Sequence, residues 1–254
     1  MVRVSSWSRR VIFLYISGFF SYRTSNPEVI RSFDEIFSVV RLAHKYHIQS
    51  IEDQELRVLQ EHWLTSDFDA FFSSQKSQIS MEPVHYIGAA NLARLTDTPL
   101  MLPLALYWCC CLGGELLDGW TREDGTVEYL SPQDMKRCFD ARRVLGRKEV
   151  LTAGYLLRNV PRERCRDHGQ CITAFVVIAR GAIGDNPTQR IRSLWGWSEI
   201  IQQFHGICEG CKEVLHERDK EERRKLWNAL PQILGITVDG WSKLGGGESA
   251  GDVA

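Results

Sequence analysis

The clearest alternation of apolar and polar positions lies between Phe33 and Trp63. Ile36, Val39, Val40 and Ala43 recur at i, i+3, i+4 and i+7, while Asp34, Glu35, Arg41 and Lys45 fall elsewhere. That spacing predicts an amphipathic helix over the first half of the stretch. Leu56, Leu59 and Trp63 form a second stripe, preceded by Ser50 as an expected N-cap, with Glu52 and Asp53 in the first turn. Only His47-Ile48-Gln49 separates the two stripes, so the helices are expected to fold back and share their apolar faces. The pair is a packing unit and carries no reaction chemistry.

Further along, a Ser-rich stretch over 66–81 with Phe68, Phe71 and Phe72 reads as a loop or short helix over the core. Pro83 suits the first turn of a helix over 84–95, and Thr96-Asp97-Thr98-Pro99 breaks it. Residues 100–117 are apolar all round, which predicts a core helix, interrupted at Gly113-Gly114 and short of a membrane span. Asp124-Gly125 marks a hairpin-like turn, and Ser131-Pro132-Gln133-Asp134 starts a helix expected to reach about Val144. Residues 150–157 fit strand or helix. Helices are also expected over 171–182, over 189–204 and from Cys211 to about Leu230, followed by a disordered Gly/Ser-rich tail over 245–254.

Composition narrows the function classes. With 31 basic and 32 acidic residues in 254, no global field recruits nucleic acid or an anionic membrane. Eight cysteines in a chain of this length suggest an intracellular, reduced protein, in cytoplasm or nucleus. Arg3, Arg9 and Arg10 ahead of the apolar run 11–20 read superficially as a signal peptide, but no small-x-small cleavage site follows.

Cys165, Cys171, Cys208 and Cys211 are the one grouping with site chemistry. Cys208-x2-Cys211 has the spacing of a zinc half-site, because two thiolates on a tight turn can meet one tetrahedral ion. Cys165-x5-Cys171 is looser; His168 and His205 lie nearby as substitutes or supporting groups. Four protein ligands would make any such metal structural. The competing readings are small buried hydrophobes or a thioredoxin-like redox pair at 208–211, whose usual βαβ surroundings are missing. Cys109-Cys110-Cys111 point about 100° apart on a helix and belong to the core. His44, His47, His62 and His85 have no paired nucleophile, and no catalytic string or phosphate loop occurs, so no catalysis is expected. The sign-alternating run 216–225 reads as a solvated helix face.

The residues Val40-Arg41-Leu42-Ala43-His44-Lys45-Tyr46-His47-Ile48, then Ile51-Glu52-Asp53 and Leu56-Arg57-Val58-Leu59, resemble a signature in the C-terminal helices of BTB/POZ domains, in their fungal form. Leu14-Tyr15-Ile16-Ser17-Gly18 resembles the turn ahead of those helices. Asn91-Leu92-Ala93-Arg94-Leu95, residues 102–107 and residues 226–231 resemble later landmarks of the same group. Only ten residues precede Val11, where BTB domains place their dimer interface, so dimerisation and the usual partner groove are not expected. The resemblance implies a mainly α protein, with C-terminal helices of a BTB-like domain packed against a helical C-terminal region. Its expected parts are a truncated BTB-like portion (1–65), a helical region (66–160), a Cys-containing helical region (161–244) and the tail (245–254). It implies protein partners, as an adaptor or scaffold, and its fungal members tend to carry cysteine pairs near 165–211. A zinc-stabilised transcriptional regulator and an enzyme with a dispersed site are the alternatives.

Overall fold

Ser32 is extended, with φ −77° and ψ 148°, and its hydroxyl accepts from the Glu35 N–H at 3.2 Å. This cap ends strand β1 (Arg31–Ser32) and starts helix α1 (Phe33–Tyr46). The structure, a computed structural model, describes residues 31–73, 79–158, 164–183, 193–195, 197, 201–202 and 206–241. Helix α1 buries Ile36, Val40 and Ala43 of the stripe that the periodicity predicts, leaves Val39 half-buried, and buries Phe33, Phe37 and Asp34 as well. His47 then turns left-handed (φ 56°, ψ 44°), and the Ile48 N–H donates to the Ala43 carbonyl at 2.9 Å. Helix α2 (Gln49–His62) folds back on α1, and Ala43 and Ile51 form a small core with Val39 and Ile48.

The expected cap at Ser50 is corrected: α2 already begins at Gln49, and Ile48 stands in the cap position without a side-chain bond. The Gln49 amide instead donates to Asp53 at 2.8 Å and ties the first turn. Next come α3 (Phe68–Ser73) and β2 (Ile79–Ser80), which pairs in parallel with β1, Arg31 opposite Ile79. Helix α4 (His85–Leu95), a 3-10 turn (Pro99–Met101), α5 (Leu102–Leu112) and a second 3-10 turn (Gly113–Leu117) follow. Strands β3 (Trp120–Thr121) and β4 (Val127–Glu128) pair antiparallel around Gly125, whose φ of +81° suits the predicted turn.

The helix starting at Pro132 does not stop near Val144. It runs to Arg158 as α6 (Pro132–Arg158), so residues 150–157 are helical. Helices α7 (His168–Ile183) and α8 (Glu209–Ile233) complete a mainly helical chain, with eight α-helices among the described residues. The helix expected over 189–204 falls mostly outside the described residues, as do Leu14–Gly18, His205 and the tail.

The chain divides into two units. The first holds the described residues of Met1–Cys109, Gly114–Ser131 and Asp239–Ala254; the second holds those of Cys110–Gly113 and Pro132–Val238. In the first, Phe33, Phe37, His85 and Trp120 form an aromatic nest with ring centroids 5.0 to 6.1 Å apart. Gly88 makes room for it: a Cβ there would lie 2.5 Å from the Trp120 ring. The nest is edged by charge. Arg122 donates to Asp34 at 3.2 Å and Ser38 at 2.7 Å, and the Glu123 N–H donates to Asp34 at 2.9 Å. Arg31 grips the fully buried Glu55 with two bonds of 3.1 and 2.6 Å.

The expected break at Gly113-Gly114 is present, since α5 ends at Leu112 and Gly113 has φ +66°, but with its flanking 3-10 turns the apolar segment is longer than expected. Pro99–Leu117 spans 19 residues and is long and apolar enough to cross a membrane by length and composition alone, with 61% of it buried. Leu104, Ala105, Leu106, Tyr107 and Cys109 are wholly buried, and Tyr86 stacks on Trp108 at 5.3 Å. Apolar surface on every side thus matches protein cover on most sides.

In the second unit α6 packs against α7 and α8. One core cluster gathers Leu156, Ala174, Phe175, Ile178, Ile201, Ile207 and Leu215 around Cys171 and Cys211. The run 216–225 is less solvated than its charge pattern predicts. Asp219 is fully buried, accepting from Arg223 at 3.0 Å and from the Trp197 N–H at 3.1 Å. Trp227 and Leu230 beyond it are fully buried as well.

Candidate metal centre

Two helix starts in the second unit deliver the four cysteines. Asp167 caps α7: its carboxylate accepts from the Gln170 N–H at 3.0 Å and its carbonyl from the Cys171 N–H at 3.1 Å. Cys165 therefore stands just ahead of that helix and Cys171 in its first turn. At α8, Cys208 occupies the cap position, and its carbonyl accepts from Cys211 and Lys212, both at 3.0 Å. Cys211 falls in the first turn. Each helix thus presents a cysteine pair at its N-terminal end, where exposed amides and the helix dipole favour negative charge.

Glycine 210 lets the two starts meet. A Cβ at Gly210 would lie 2.3 Å from the Arg164 carbonyl oxygen, so only glycine admits the backbone that carries Cys165. The four Sγ atoms all lie within 4.8 Å of one another. A tetrahedral ion with metal–sulfur bonds of about 2.3 Å would set them about 3.8 Å apart, a short contraction away. No disulfide joins them; all four are free thiols. Cys171 and Cys211 are buried, whereas Cys165 and Cys208 are partly exposed.

Electrostatics set Cys208 apart from Cys171 and Cys211. Burial raises the Cys208 thiol, but the backbone amides of Arg166 and Cys211 and the thiols of Cys211 and Cys171 bring it down to about 6. Burial pushes the Cys211 thiol up, and the thiols of Cys165, Cys208 and Cys171 push it further. Burial likewise holds the Cys171 thiol above its ordinary range. The Cys208 N–H points at the Cys171 sulfur, 3.4 Å away. Two thiolates at 4.8 Å repel by about 3 kcal/mol at an effective dielectric of about 20, so full ionisation of all four calls for a central cation. The donor set suits a soft or borderline divalent ion in a closed site.

Among the described residues the other sequence candidates do not join this cluster, and His205 lies outside those residues. His168 opens α7, its Nδ1 buried without a hydrogen-bond partner among the described residues. Of the three cysteines expected in the core, Cys109 and Cys110 are buried and Cys111 is half-buried. His44 pairs with Glu52 at 3.1 Å and His47 forms the turn after α1. The His62 side chain lies outside the described set. His85 accepts from the Glu82 N–H at 2.9 Å through Nδ1, and burial lowers its pKa. What the sequence did not flag is Gly210, whose signal is a glycine inside a Cys-x-x-Cys at a helix start. No family model, curated protein or solved structure matches the chain.

Proposed function

We propose that Cys165, Cys171, Cys208 and Cys211 hold a structural zinc and that the chain is a protein–protein interaction module, a BTB-like adaptor or scaffold. The observation that carries the metal is the convergence of four thiols within 4.8 Å from two helix starts. Zinc bound there would cross-link α7, α8 and the segment ahead of α7, and it would leave no open position for water or substrate. Such a site contributes folding energy and does no catalysis.

Support for the interaction role comes from residues 40–59. The BTB-like motif falls across α1, the His47 turn and α2; of its apolar positions Val40, Ala43, Ile51, Leu56 and Leu59 are buried, Ile48 and Val58 half-buried and Leu42 exposed. Two tests separate the halves of the proposal. Purified reduced chain should hold one zinc, lost in a Cys208→Ser/Cys211→Ser variant; zinc-free reduced protein that is fully folded sinks the metal. Proximity labelling in cells should mark a recurring set of proteins; labelling no different from a size-matched inert control sinks the module.

A further inference from the structure

The outward face of α6 carries a pattern that the fold leaves unused. Val144, Leu151 and Tyr155, at i, i+7 and i+11, fall within a wedge of about 40° on the helix. They are 36%, 60% and 50% exposed. Cys138, Ala141, Leu145, Ala153 and Leu156 are buried on the adjoining face, so the stripe lies on the exposed arc of the helix, along the edge of its packed side. Lys148 flanks the stripe on one side and Arg147 on the other, with Arg143 about 40° beyond Arg147, all exposed. Among the described residues none of these three has an ion-pair partner.

We propose that this face of α6 docks an acidic amphipathic helix of a partner protein. Val144, Leu151 and Tyr155 supply the apolar contact, and Arg143, Arg147 and Lys148 select the charge. The assignment rests on the interaction-module reading above and names its surface. Charge chooses the occupant. A second copy would set basic stripe against basic stripe across a twofold axis, which costs affinity. Exposed Asp140 lowers the positive charge of this face for either occupant, but an anionic bilayer fits less well because three apolar side chains offer little to insert. A helix with apolar residues at i, i+4 and i+7 and acids beside them meets both features.

The test is selection of 16-residue peptides from an unbiased display library on the full-length reduced chain with zinc in the buffer. Leu151→Asp and the double variant Arg147→Glu/Lys148→Glu are surface changes; circular dichroism shows whether each is folded. The expected winners have an apolar i, i+4, i+7 seam and net negative charge, and each variant weakens them about ten-fold or more. Exchanging their acids for lysine should abolish binding to the native chain and restore it on the double variant. Peptides that bind Leu151→Asp as well as the native chain exclude this face while leaving the module reading intact. Neutral or basic winners, or none at all, overturn the proposal. So does Leu151-dependent self-association in sedimentation, or Leu151-dependent binding to vesicles of phosphatidylcholine and phosphatidylserine.

Discussion

Replacing Gly210 by alanine gives a result whose sign separates the metal-centre account from ordinary helix energetics. Gly210 lies in the first turn of α8, where alanine for glycine normally favours the helix by up to about 1 kcal/mol. Here the added Cβ would meet the Arg164 carbonyl oxygen at 2.3 Å and the Arg164 carbonyl carbon at 3.2 Å. Both are backbone atoms and cannot swing aside as a side-chain tip would. Restoring an ordinary contact of 3.4 Å requires the Arg164 segment to retreat by about 1 Å, taking Cys165 with it. Metal–sulfur distances tolerate about 0.2 Å, and the thiols must draw closer than their present 4.8 Å limit to close on an ion. The retreat runs the wrong way, so zinc affinity should fall about 10- to 100-fold, the usual cost of disturbing groups that position ligands. Competition against a chromophoric chelator measures it. Gly146→Ala is the control, because a Cβ there meets nothing within 4 Å; it should leave zinc affinity unchanged and stabilise α6 by about 0.5–1 kcal/mol. Equal or tighter zinc binding by Gly210→Ala would refute the reasoning.

Three further outcomes follow from the packing. Gly88→Ala pushes a Cβ to 2.5 Å from the buried Trp120 ring and should cost about 1–3 kcal/mol in urea unfolding; a neutral result would mean the nest is loose. Asp219→Ala removes the buried carboxylate that accepts from Arg223 and from the Trp197 N–H and should cost about 1–3 kcal/mol in urea unfolding, whereas a purely solvated helix face predicts less than about 1. Burial lowers the His85 pKa, so folding favours the neutral ring: its contribution is complete above about pH 6.5 and is lost as pH falls below it. Glu55 acts oppositely, since burial raises its pKa and protonation on acidification favours the fold. Urea midpoints of native chain and His85→Gln from pH 7 to 5 isolate the histidine; parallel curves would show that burial does not govern it.

What could be read in the sequence was local. The 3.6-residue period found α1, the Asp124-Gly125 turn found the β3–β4 pair, and Ser131-Pro132 found the start of α6. The end of α6 was illegible because Gly146 and the charged residues around it look like a break, yet Leu145, Ala153 and Leu156 are buried on a continuing face. Ser50 looked like a cap because its side chain can serve as one. The α1–α2 turn, closed by His47 in the left-handed region, instead starts the helix two residues earlier. No local pattern announces that Arg31 reaches Glu55, that Arg122 reaches Asp34, or that β1 pairs with β2; such contacts exist only once the chain has closed. The cysteines lay between these cases. Residue type and the 208–211 spacing nominated them, but only the meeting of two helix starts at Gly210 brings Cys165 and Cys171 to the other pair.

X-ray absorption at the zinc edge, on reduced protein purified with zinc and without a polyhistidine tag, addresses the metal centre most directly. One zinc per chain with four sulfur neighbours at about 2.3 Å is the predicted result. Folded, reduced protein without zinc, or zinc bound through nitrogen and oxygen, would contradict it.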